Sequence, residues 1–139
     1  MGALLGLDFG EKRIGVAICD ESTSIATALT TLPFKSRQQL LADLLILVRD
    51  YHVVKIVAGL PKTLKNEIGP AAQKVTGQVA WFQAQMTQPW VFWDERLSTK
   101  EVERILLEAD VSRARRKEVR DQLAAQRILQ TYVDYHRNQ

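Results

Sequence analysis

In the first third of the chain, apolar runs alternate with short polar breaks. Ala3–Phe9 is apolar and closes on Asp8-Phe9-Gly10, and Ile14–Cys19 is a second run beyond the turn Gly10-Glu11-Lys12-Arg13. Asp20-Glu21-Ser22 makes the next turn, and Ser24–Leu32 is rich in Thr and Ala. Runs of this length bounded by turn formers predict three strands. Connections this short force antiparallel pairing, because a parallel pair needs a long crossover.

Beyond Pro33 the period changes. Ser36 and Gln39 have capping-box spacing, and Leu40, Leu41, Leu44, Leu45 and Val48 follow at helical intervals. Val53–Ala58 is nearly all apolar, as expected of a strand covered on both faces, and Gly59-Leu60-Pro61 ends it. Pro70 suits the first turn of a helix whose stripe is Ala72, Val75, Val79, Phe82 and Met86. Trp90–Trp93 is a short strand closing on Asp94-Glu95. A second capping pair, Ser98 with Glu101, opens a helix faced by Val102, Ile105, Leu106 and Ala109. A last helix is predicted from about Lys117 to Tyr135.

Right-handed crossovers place the two later strands parallel to the first on one sheet. The expected class is α/β, a mixed five-stranded sheet of three antiparallel strands then two parallel ones, flanked by helices. That order suits the ribonuclease H-like architecture. No repeat, low-complexity tract or linker interrupts it, so residues 1–139 read as a single domain.

Composition narrows the class of protein. With 46% hydrophobic and 25% charged residues, the chain is neither disordered, collagen-like nor a coiled coil. The lone Cys19 excludes an internal disulfide and a Cys-based zinc site, and His52 and His136 lie too far apart for a His-rich cage. No run approaches the ~18 apolar residues of a membrane span. Met1-Gly2-Ala3-Leu4 lacks the basic start of a signal peptide, and Gly6 stands where myristoylation needs Ser or Thr. A cytoplasmic protein with no membrane partner is expected. Nineteen Lys and Arg against sixteen Asp and Glu give a net charge of +3. The cations cluster: residues 111–120 hold Arg113, Arg115, Arg116, Lys117 and Arg120 against one acid, Glu118.

The acids also have a pattern. Asp8 and the pair Asp94/Glu95 fall at the C-terminal ends of parallel strands, the edge where open sheets bind ligands. Asp121 shares a helical stripe with Ala124, Ala125, Ile128 and Tyr132, and an acid on a buried stripe needs a partner. Carboxylates converging from two strands and a helix form a hard-oxygen site suited to Mg²⁺ or Mn²⁺. Each acid also has an ordinary reading: Asp8 as a turn former, Asp94/Glu95 as partners of Arg96 or Lys100, and Asp121 as a first-turn acid. Like charges in such a site repel, so Asp121→Asn is expected to leave the metal-free protein equally or more stable.

Asp8-Phe9-Gly10-Glu11-Lys12-Arg13-Ile14-Gly15-Val16-Ala17, Gly59-Leu60-Pro61-Lys62, Asp94-Glu95-Arg96-Leu97-Ser98-Thr99 and Asp121-Gln122-Leu123-Ala124-Ala125, with Ile128-Leu129-Gln130-Thr131-Tyr132, form a recognisable set. In this order and at this length it resembles the YqgF family of ribonuclease H-like proteins, across essentially the whole chain. Members carry proposed roles as pre-16S rRNA nucleases and as Holliday junction resolvases. The resemblance implies that Asp8, the Asp94/Glu95 block and Asp121 are the catalytic acids. Related junction resolvases carry an acid beside the first strand, where this chain has Gly59-Leu60. The substitute must reach across two strand spacings, roughly 10 Å. Glu95 has the longer arm, so Asp8, Glu95 and Asp121 are the expected metal ligands, with Asp94 the alternate. The loop Lys62-Thr63-Leu64-Lys65-Asn66-Glu67 departs from the family's usual Lys-Asn-Met-Asp-Gly-Ser, which alters the charge it offers a substrate.

Cations opposing a helix dipole are not favoured by stability alone, so Arg115, Arg116 and Arg120 are expected to bind phosphates. Lys12, Arg13, Lys62 and Arg96 flank the acids and join that set. Trp93 reads as core packing, with base stacking as the alternative. The leading expectation is a metal-dependent endonuclease on precursor rRNA or branched nucleic acid, with ribosomal particles as further partners, acting as a monomer or weak homodimer. A junction resolvase and a non-catalytic RNA- or ribosome-binding factor are the alternatives. An actin-like ATPase lobe shares the Asp-x-Gly motif, but such enzymes need two lobes and this chain has the length of one.

Overall fold

The computed structural model describes residues 2–61, 69–94 and 113–137. The first two turns make a meander. Strand β1 (Ala3–Phe9) turns through Gly10, whose N–H donates to the Arg13 carbonyl at 2.9 Å, into β2 (Arg13–Asp20). Asp20 then organises the second turn. Its carboxylate accepts from the Ser22 N–H at 2.9 Å and the Ser22 hydroxyl at 2.7 Å, and Ser24 takes a left-handed φ of 62° before β3 (Ala26–Pro33).

Two helical crossovers follow. Helix α1 (Arg37–Tyr51) starts at Ser36, whose hydroxyl accepts from the Gln39 N–H at 3.1 Å. Only half the expected capping box forms, since the Gln39 side chain donates to Asp43, one turn on. The helix ends on His52 in the left-handed region, which reverses the chain into β4 (Val53–Leu60). Helix α2 (Pro70–Gln85) has Pro70 in its first turn, and β5 (Trp90–Asp94) follows. Helix α3 (Arg113–Arg137) closes the described chain. It begins four residues before the expected start. Arg, Ala and Lys are strong helix formers and nothing between Arg113 and Lys117 breaks the turn, so the basic run lies within the helix. The helix expected at Ser98–Ala109 lies outside the described residues.

The sheet order is β3-β2-β1-β4-β5, with β3, β2 and β1 antiparallel and β1, β4 and β5 parallel, as the pattern predicts. Alternation sorts the strand side chains onto two faces. Leu5, Leu7, Ile14, Val16, Ile56, Ala58 and Trp90 pack against Leu40 and Leu44 of α1 and Val75, Val79 and Phe82 of α2. Ala17, Cys19, Ala26 and Val57 pack under α3 against Ala125, Ile128, Leu129 and Tyr132. Among the described residues, no helix is long and apolar enough to cross a membrane.

Candidate functional site

Asp8 stands at the C-terminal end of the central strand, paired in register with Gly15 of β2. Leu5 and Leu7 point into the core beneath α1 and α2, so Gly6 and Asp8 lie on the α3 face. On that face Gly6 and Gly15 leave room for a close approach of the helix. A Cβ at Gly6 would stand 2.8 Å from Leu129 Cβ and 3.1 Å from the Ala125 carbonyl oxygen. A Cβ at Gly15 would run into the carbonyl oxygen of Asp121. Ala124 and Ala125, both buried, present equally little bulk from the helix. The backbone of Asp121 therefore rests on the residue directly opposite Asp8. Opposed positions on neighbouring strands have Cβ atoms about 4.5–5.5 Å apart, so two acids 113 positions apart in sequence share one patch of the sheet edge.

The Asp121 side chain is 13% exposed and already has a counter-charge. Arg13 Nε donates to its Oδ2 at 3.0 Å, from a side chain 34% exposed. Arg13 precedes Gly15 by two positions and so lies on the same face of β2. This pairing opposes the repulsion expected from the sequence: removing the Asp121 charge would also remove a partly solvated ion pair.

Further along α3, polar side chains tie the helix to the sheet. Gln130 Oε1 accepts from the Ala26 N–H at 2.8 Å, and its Nε2 donates to the Ser24 carbonyl at 3.1 Å. Gln126 Nε2 donates to the Ala26 carbonyl at 3.0 Å. Trp93 Nε1 donates to Thr131 Oγ1 at 2.9 Å while its ring meets Tyr132 edge-on, centroids 5.4 Å apart. Lys55 Nζ donates to the Tyr132 hydroxyl at 3.3 Å. Trp93 is thus part of the packing between β5 and α3.

Asp94 ends β5, and alternation puts it on the side of Trp90, whereas Val91 and Trp93 pack towards α3. Among the described residues, no three of His, Cys, Asp and Glu gather into a group that could hold a metal ion, so Asp94 does not complete a trio with Asp8 and Asp121. Glu95, Arg96 and Lys62 lie outside the described residues. Lys12 is exposed in the turn before Arg13. Arg115 and Arg116 lie in the first turn of α3, which contains no acid, and half-buried Arg120 immediately precedes Asp121. Cys19 is buried, and desolvation followed by the neighbouring Asp20 charge pushes its thiol above the ordinary range. Sequence reasoning passed over Gly6, Gly15, Gln126 and Gln130 as contributors to the site. The available signal was a glycine inside each of two strands, which marks a close approach of another backbone.

Comparison with known proteins follows the same lines. The family profile described as "RuvX: Holliday junction resolvase" matches residues 2–135. A Thermoanaerobacter pseudethanolicus protein named "Putative pre-16S rRNA nuclease" is 45% identical over 136 residues, covering 97% of this chain and 98% of that one. A Listeria monocytogenes protein of the same name is 46% identical over 133 residues, 94% of this chain and 96% of that one. T. thermophilus RuvC, solved in complex with Holliday junction substrate, superposes with a TM-score of 0.61 at 15% identity, over 98% of this chain and 96% of that one. The Fowlpox virus resolvase, solved with substrate Holliday junction DNA, gives 0.60 at 9% identity, over 96% and 98%. At such identities the two structures report a shared fold.

Proposed function

The chain belongs to the RuvX family of Holliday junction resolvases, and from that premise we propose that it is a divalent-metal-dependent nuclease, with the 5′ end of precursor 16S rRNA as its substrate. One observation carries the chemistry: α3 seats Asp121 on Gly15, the residue opposite Asp8, at the C-terminal edge of the parallel strands. Names of relatives at 45% and 46% identity supply the RNA. The family description makes four-way DNA the second substrate to test. A single ribonuclease H-like domain in the cytoplasm, free or on ribosomal particles, is the setting this reading assigns.

Two carboxylates at one sheet edge are hard-oxygen donors, which fits Mg²⁺ or Mn²⁺ better than softer ions. Asp8, Asp121 and Glu95 would hold them, whereas Asp94, on the Trp90 side of β5, would not. A divalent ion held there would supply Lewis-acid activation of water and of a phosphodiester's leaving oxygen. The protein's own task is placement. Asp8 is fixed by the central strand, and Asp121 by a helix whose backbone cannot shift without vacating Gly15. Lys12, Arg13, Lys62, Arg96, Arg115, Arg116 and Arg120 are the cations this reading assigns to orienting the strand through its phosphates.

The test is incubation of precursor rRNA and four-way DNA in parallel with Mg²⁺, Mn²⁺ or EDTA. Cleavage of the rRNA in metal, lost in EDTA and in Asp8→Asn, is the expected result. Binding without cleavage in every metal would instead assign a non-catalytic RNA-binding role. Cleavage of the four-way DNA alone would assign a resolvase.

A further inference from the structure

The Arg13–Asp121 pair lies on the carboxylate that the nuclease reading gives to a metal. We propose that Arg13 is a positioning residue that holds the Asp121 carboxylate in the metal-free protein, competes with the divalent ion for it, and is freed for a substrate phosphate once the ion binds. The proposal rests on Asp121 being a metal ligand.

The two partners differ in freedom. Asp121 belongs to a helix whose backbone is pressed onto Gly15, and its side chain is 13% exposed. A carboxylate so covered needs a counter-charge when no metal is present. Arg13 is the first residue of β2, adjoins the exposed Lys12 turn and keeps a third of its side chain in solvent. Its contact is a single bond from Nε rather than a two-pronged fork. The arginine is therefore the member that can leave. A guanidinium and a divalent cation carry like charge and cannot both sit on one carboxylate without repulsion. The ion has the higher charge. Released, the guanidinium presents a planar set of donors that matches a phosphate. Ion binding would then turn a structural cation into a substrate contact beside the reacting bond.

Mn²⁺ titration calorimetry on the substrate-free full chain tests this with wild type, Arg13→Gln, Arg13→Lys and Asp121→Asn. Arg13→Gln should bind Mn²⁺ more tightly by about two- to fivefold, the size expected for losing one competing, partly solvated ion pair. Arg13→Lys should fall between it and wild type, and Asp121→Asn should lose binding. Wild-type or weaker affinity in Arg13→Gln, while Asp121→Asn still loses binding, would overturn the competition and leave the metal site standing. Wild-type affinity in Asp121→Asn would overturn the site itself. A second readout uses the native protein. The Arg13 Nε–H resonance, assigned by its absence from Arg13→Lys, should move to a solvent-exchanging position as Mg²⁺ is added. A resonance that stays in place at saturating metal would refute the release.

Discussion

The two faces of the sheet are made by alternate residues of the same strands, yet they are built on opposite plans. Towards α1 and α2 the strands present Leu5, Leu7, Ile14, Val16 and Ile56, and a column of rings runs from Phe9 through Phe82 to Trp90 at centroid spacings of 6.3 and 6.1 Å. Towards α3 they present Gly6, Gly15, Ala17 and Cys19, and the helix answers with Ala124 and Ala125. The first face gathers the larger apolar side chains, whose burial favours folding. The second accepts less area in exchange for closeness, and fills its margins with bonds from Arg13, Gln126, Gln130 and Trp93. One face holds the protein together. The other holds two acids in place.

That division can be broken from either side. Phe82→Ala removes a fully buried ring from the oily face and should cost about 3–5 kcal/mol in urea unfolding. Cleavage per folded molecule should stay near wild type, since nothing in the acid patch moves. Gly15→Ala should show the reverse balance. A methyl against the Asp121 carbonyl is overpacking of backbone, worth about 1–3 kcal/mol, but lifting α3 should abolish cleavage in the folded fraction. If Gly15→Ala loses stability and keeps its activity, close seating is not what places Asp121. Asp121→Asn should abolish cleavage and lower stability in EDTA by at most about 1 kcal/mol, because the Arg13 pair is partly solvated. A rise in melting temperature would mean that repulsion from Asp8 outweighs that pair.

Gln130→Ala should cost about 1 kcal/mol and reduce cleavage modestly, since Gln126 still binds Ala26. The smallest effect is chemical. Cys19 is buried, and desolvation with the neighbouring Asp20 charge raises its thiol pKa, so iodoacetamide at pH 8 should modify the folded protein at least about tenfold more slowly than the protein in urea.

Much of this was legible beforehand because it is local. Alternating runs between tight turns set the meander, and helical stripes at Leu40–Val48 and Ala72–Met86 set the crossovers. Boundaries moved where a turn reached into a ladder. Gly10 bonds to the Arg13 carbonyl, so β2 begins one residue before its apolar run, and Ser24 serves the turn that precedes β3. What stayed hidden depended on which side chains meet across the fold. Arg13 and Asp121 are 108 positions apart, and no periodicity links them. Asp121 was legible as a buried-stripe acid needing a partner, but the stripe could not say that a cation already supplied it. Asp94 stood as the alternate to Glu95, and only the Trp90 face fixed its side of the strand.

The glutamine clamp on β3 has a consequence for self-association. That strand is the border of the sheet, and its eight residues, Ala26–Pro33, carry no charge to repel a second chain. Uncharged borders of this kind are where foreign strands add and aggregates nucleate. Here the two ends are closed by different chemistry. At Ala26 both main-chain groups are taken by side-chain amides, the N–H by Gln130 and the carbonyl by Gln126. At Pro33 there is no N–H to offer. Replacing both glutamines would reopen one end of the border, so the same amides that seat the helix also shorten the template on which a misfolded neighbour could grow.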